Sequence, residues 1–110
     1  MTKDCAEKCP CSEACPIGRA MEIIGGKWKL QILCSLLSDG TSRYGELKRK
    51  IKGITNTMLA SSLKELETDG LVSRTQYNEM PLRVEYSITE SAQTLMPILH
   101  QLAQWALNLE

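Results

Sequence analysis

One histidine, His100, stands in a chain of 110 residues. It has no partner in the sequence with which to build a catalytic pair or a metal site. There is no Cys-x-x-Cys redox motif and no glycine-rich phosphate loop, which argues against thiol oxidoreductases and P-loop enzymes. No apolar run approaches the roughly 20 residues of a membrane span. The amino-terminal stretch MTKDCAEKCP is charged and has no apolar h-region, so it does not read as a signal peptide. The expected location is the cytoplasm, with no membrane partner. Internal repeats and low-complexity tracts are also missing. Net charge is zero, from 13 basic and 13 acidic residues, so bulk charge selects no partner.

The charges are unevenly placed. Lys27 to Lys64 holds eight basic residues against Asp39 and Glu46, a net of +6, and the remainder carries −6. A neutral protein with a basic middle has a polarised surface. Length implies one domain, and 43% hydrophobic with 24% charged residues fits an ordinary globular chain. Residues 1–14 read as a cysteine-rich arm and 15–110 as the folded domain.

Along that domain the apolar period implies helices over CPIGRAMEIIGG, with Pro16 at the first position, and over KWKLQILCSLLSDG. Ile17, Ala20, Met21 and Ile24 share a face of the first. Trp28, Ile32, Leu33, Leu36 and Leu37 form the buried side of the second. Cys34, within that apolar helix, reads as a buried small hydrophobe, and Met21, Met58 and Met96 as core filling. A short helix follows at Tyr44–Lys50, with Leu47 and Ile51 inward, and a longer one at Thr55–Asp69, with Leu59, Leu63 and Leu66 inward. Thr55 or Thr57 caps its start. The period then changes to two. LVSRTQY and RVEYSI read as a hairpin closed by NEMPL, with Val84, Tyr86 and Ile88 alternating against Arg83, Glu85 and Ser87. Thr89 caps a last helix, which Pro97 is expected to kink.

This order gives the expected fold class: mainly α with a small β-hairpin (α+β), a winged helix-turn-helix with a C-terminal dimerisation helix. In such a fold the second helix of the pair enters the major groove of double-stranded DNA. Burying its leucines leaves Thr55, Asn56, Thr57, Ala60, Ser61 and Lys64 outward, where amides and hydroxyls can read base edges. Lys48, Lys50 and Lys52 lie beside it for phosphates. Arg83, placed at the base of the hairpin, is the wing's candidate for the minor groove or backbone. Leu95, Ile98, Leu99, Leu102, Ala106 and Leu109 give the last helix more apolar surface than a small core covers. The simplest cover is a second copy, which predicts a homodimer on a palindromic operator.

CPIGRAMEIIGGKWKLQIL, RYGELKRKIKGITNTMLASSLKELETDGLVSR and YNEMPLRVEYSITESAQTLMPIL resemble the HxlR-type transcription regulators, a branch of the MarR-like winged-helix proteins. The resemblance runs from Cys15 to the end. It implies a dimeric, non-enzymatic DNA-binding regulator. It also implies a sensing role for Cys15, because several family members respond to electrophiles or oxidants through a cysteine at that position. Thr57, Ala60 and Ser61 are shorter than the side chains the family often places there, which shifts base readout toward water and DNA shape. Cys5, Cys9 and Cys11 are not part of the general family pattern.

Those four thiols leave three readings. Cys15 precedes Pro16 at the start of the first helix, where unpaired amides and the helix dipole favour a thiolate. Oxidation there could be trapped by Cys11 or Cys9, making the arm a sensor with no cofactor. Alternatively Cys5, Cys9, Cys11 and Cys15 ligate zinc or an iron–sulfur cluster, although the two pairs are separated by Pro10 alone and neither common ferredoxin spacing fits. The third reading is an arm with incidental cysteines. A thiol or metal protein using the winged fold as an interaction module is the alternative from another functional class.

Overall fold

The computed structural model describes residues 16–109, so the arm and Cys5, Cys9, Cys11 and Cys15 lie outside the described residues. Helix α1 (Pro16–Ile24) begins on proline, whose missing amide would have had no helical acceptor. It stops at Gly25, whose N–H donates to the Met21 carbonyl at 2.7 Å. A Cβ at Gly25 would collide with that same carbonyl. Only the C-terminal turn of α1 reaches the core, through Ile23 and Ile24. Ile17 and Met21, expected inward, are 54% and 51% exposed, because nothing among the described residues covers the outer part of this helix.

Helix α2 (Lys29–Asp39) starts two residues later than its apolar pattern implies, with half-buried Trp28 at its N-cap. Ile32, Leu33 and Leu36 are buried and set its inward direction. At roughly 100° per residue Cys34 then falls on the far side, and it is exposed rather than a core residue. Leu37 is on the flank and 47% exposed.

Helices α3 (Tyr44–Lys50) and α4 (Asn56–Thr68) form the expected pair. The Glu46 carboxylate accepts the Arg43 backbone N–H at 2.7 Å, securing the start of α3. The Thr55 hydroxyl accepts from the Met58 N–H at 3.1 Å at the start of α4. Between them Gly53 turns the chain at φ 86°, a conformation that disfavours any side chain. Leu47, Ile51, Ile54, Leu59, Leu63 and Leu66 join α2 in one core. Met58 lies outside it at 41% exposed, whereas Met96 packs against it as expected.

The hairpin is strands β2 (Val72–Tyr77) and β3 (Arg83–Ile88). A third strand, β1 (Ser42–Arg43), pairs with the other edge of β3, giving the order β1-β3-β2. Two residues are too few to leave a period in the sequence, so β1 is a tertiary event. The Thr41 and Ser87 hydroxyls meet beside it at 2.8 Å. Val72 pairs with Ile88 and Tyr77 with Arg83, so Arg83 stands at the tip end of the wing, not at its base.

Helix α5 (Glu90–Leu107) begins at Thr89, which accepts the Ala92 N–H at 3.3 Å and donates to the Gly70 carbonyl at 2.6 Å. The helix continues through Pro97. Ala92 is buried, and Leu95, Met96 and Leu99 lie against the core. From residue 101 to 109 every residue is exposed. Among the described residues no helix is long and apolar enough to cross a membrane.

Candidate nucleic-acid interface

Helix α4 supplies the outward surface. Leu59, Ser62, Leu63 and Leu66 are buried, and Asn56, Thr57, Ala60, Ser61 and Lys64 are exposed. The two sets separate because leucines at i, i+4 and i+7 place one stripe on the core and free the opposite face. That face is a ridge between two clefts. On one side a cleft of about 380 Å³ separates α4 from the sheet, lined by Ala60, Lys64, Glu67, Arg74 and Tyr86. On the other a cleft of about 310 Å³ separates it from the α1–α2 turn, where Trp28, Met58, Ser61 and Glu65 meet.

The ridge is held at both ends. Near its start the Tyr44 hydroxyl donates to the Asn56 carbonyl at 2.9 Å, with the Asn56 Oδ1 at 3.4 Å. This ties the first residue of α3 to the first of α4 across the turn. Further along, the Lys29 ammonium reaches Glu65 at 2.7 Å. The Lys29 side chain is only 10% exposed, so its stem lies in the packed region and its charge emerges at α4. The hydrogen bond from Lys29 and its positive charge hold the Glu65 carboxyl below its ordinary 4.5, against an opposing desolvation and with help from the Ser61 hydroxyl.

Of the cations expected to meet phosphates, Lys52 and Lys64 are exposed and Lys48 is half-buried. Lys50 pairs with Asp39 at 3.0 Å, both partly exposed, a contact weak enough to exchange for another anion. Thr55 is exposed, and its hydroxyl is the cap of α4. The Lys27 ammonium lies 4.7 Å from the centre of the Trp28 ring. Arg83 is engaged within the wing. It lies 4.1 Å from the centre of the Tyr77 ring, 3.1 Å from Glu79 and 3.7 Å from Glu85.

Tyr44 and Arg74, which line the cleft beside α4, were not among the residues the sequence pointed to. Only the HTH turn brings Tyr44 to Asn56, twelve positions away. For Arg74 a signal existed: it lies two positions beyond Val72 and so shares that residue's inner face. Cys5, Cys9, Cys11 and Cys15 lie outside the described residues. Among those described, no group of three or more potential metal ligands occurs.

Comparison with known proteins places this geometry. The HxlR-like helix-turn-helix family model matches residues 23–109. The chain is 50% identical over 93 residues to an HTH-type transcriptional regulator of Halalkalibacterium halodurans, covering 84% of this chain and 82% of that one. It is 43% identical over 96 residues to the HTH-type transcriptional regulator YdzF of Bacillus subtilis, covering 87% and 88%. The oxidised form of the redox regulator HypR superposes with a TM-score of 0.77 at 41% identity, over 86% of this chain and 96% of that one. The reduced form of the B. subtilis transcriptional regulator YodB superposes at 0.76 with 34% identity, over 84% and 90%.

Proposed function

The chain belongs to the HxlR-like helix-turn-helix family, and we propose that it works as a homodimeric repressor on a palindromic operator, released by oxidants or electrophiles acting at its N-terminal cysteines. Membership itself makes it a DNA-binding transcriptional regulator of winged helix-turn-helix fold, in a family that is not enzymatic.

The observation that carries the reading is the outward ridge of α4. Asn56, Thr57 and Ser61 meet base edges in the major groove. Lys64, Lys48, Lys52 and Lys50, the last exchanging Asp39 for phosphate, position the helix. The pairing of two copies rests on α5, where Ile98, Leu102 and Trp105 are 60%, 49% and 61% exposed at helical spacing, and on Leu109 just beyond its end, 68% exposed. An apolar stripe of this kind marks an interface. A groove of about 230 Å³ beside it, lined by Ala20, Ile23, Leu95 and Ile98, joins α1 to the same seam. Two-fold pairing would set the α4 helices about 34–36 Å apart, one DNA turn.

Sensing rests on the arm's composition and on similarity to HypR, a redox regulator. Because Cys15 adjoins α1, modification there acts on a helix in the seam and changes the separation of the α4 ridges. Only a difference in modification energy between the two arrangements can drive this. The test is operator affinity, on DNA upstream of the protein's own gene, before and after mild peroxide or quinone. The wild type is expected to bind when reduced and to lose affinity when treated, while Cys15→Ser binds equally in both. Equal responses in wild type and variant remove Cys15 from the mechanism. Absence of binding by the reduced wild type removes the operator.

A further inference from the structure

The two wing arginines lie on opposite faces of the sheet. Successive strand residues alternate sides, and the pairs Val72 with Ile88, Arg74 with Tyr86 and Tyr77 with Arg83 fix which side each occupies. Val72 is buried in the core, so Arg74 shares the side that faces α4. Arg83 occupies the other side, where Glu79, Glu85 and the Tyr77 ring surround its guanidinium. Arg74 has no carboxylate within ion-pair distance among the described residues, and its Nη2 donates only to Gln76 Oε1 at 3.3 Å. It lines the cleft of about 380 Å³ together with Lys64.

We propose that this cleft seats one DNA backbone phosphate between Lys64 and Arg74, making Arg74 the wing's anion-binding residue. The proposal rests on the DNA-binding reading and names a binding residue within it. Two cations face one carboxylate, Glu67, in this cleft, leaving an excess positive charge. The cleft on the other flank of α4 has Lys27 and Lys29 against Glu22 and Glu65, and the Lys29 ammonium is committed to Glu65 at 2.7 Å. An anionic strand running beside the ridge therefore finds net attraction only on the wing side. Arginine suits the role, since its planar fork can present two parallel N–H groups to phosphate oxygens.

The contact is independent of base sequence, so a mixed-sequence duplex is a sufficient probe. Binding is measured across a salt series for wild type, Arg74→Gln, Arg74→Lys and Arg83→Gln. Arg74 is exposed, and circular dichroism checks that each variant keeps its helices. Each phosphate contact contributes about 0.9 to the slope of log K against log salt. Arg74→Gln is expected to flatten the slope by about that amount per bound protomer, with Arg74→Lys restoring it and Arg83→Gln leaving it unchanged. A wild-type slope retained in Arg74→Gln, or an equal flattening by Arg83→Gln, overturns the assignment while leaving DNA binding intact. A wild type with no salt-dependent binding overturns the DNA-binding reading as well.

Discussion

Single charges in this protein are decided by which neighbour each one meets. Lys29 and Lys64 are both lysines of the basic middle segment, yet Lys29 is held against Glu65 and Lys64 stands at an open cleft. The Lys29–Glu65 pair gives stability a pH dependence. Because the folded-state pKa of Glu65 is depressed below 4.5, the pair stabilises the fold above that value. Its contribution is lost as pH falls through the lower folded-state value. Urea unfolding at neutral pH is expected to show a lower midpoint for Glu65→Gln than for wild type. The two midpoints should converge well below pH 4.5. A gap that persists in acid would mean that the carboxylate charge is not what Lys29 needs. At the same scale, the contrast between Arg74 and Arg83 turns on strand parity, which a list of basic residues does not encode.

Among the elements, α4 has two demands placed on it. Its leucines must hold it to the core, and its first turn must be ordered while Asn56 and Thr57 remain exposed. Thr55 meets the second demand by accepting the Met58 N–H, and Tyr44 adds a bond from α3 to the Asn56 carbonyl. Thr55→Ala removes the cap and is expected to cost about 1 kcal/mol, read from the urea midpoint at unchanged m-value. DNA affinity should fall with it, because the frayed turn must be reordered on binding. The sheet shows the complementary case. Strand β3 carries pairing on both edges, and β1 covers the side that a hairpin alone would leave open.

For the whole molecule the balance of apolar surface is the main issue. The chain buries Leu33 and Leu36 of α2, Leu47 of α3 and Leu59, Leu63 and Leu66 of α4 but leaves Ile98, Leu102 and Trp105 of α5, Leu109 just beyond it, and Ile17 and Met21 of α1 exposed. In the proposed homodimer, covering that surface contributes roughly 25 cal/mol per Å². A carboxylate in its middle should abolish the pairing. Leu102→Glu is expected to run at the mass of one chain in size exclusion with light scattering, and to lose most of its operator affinity. Its circular dichroism should remain wild-type, since Leu102 is 49% exposed and its loss opens no core cavity. An unchanged dimer mass would place the seam elsewhere.

What the sequence by itself determined is the five helices, the hairpin and the fold they make. Leucines at helical spacing, Gly53 at the turn, the Thr89 cap and the alternation of Val84, Tyr86 and Ile88 are local patterns, each legible without coordinates, whereas the cap of α4 was open between Thr55 and Thr57 until the Met58 N–H was found on Thr55. The fold class followed from their order, as did the outward surface of α4, because burying three leucines leaves only one face free. The tertiary structure decided which partners meet. Cys34 left the core once Ile32, Leu33 and Leu36 set the rotation of α2. Two residues became β1 only because the edge of β3 was there to receive them. Lys29 found Glu65, Arg83 was enclosed by Glu79 and Tyr77, and Arg74 came to face Lys64. The physical reason is range: helix and strand periods act over a few residues, whereas charge pairing and edge pairing depend on distances that exist only after the chain has packed.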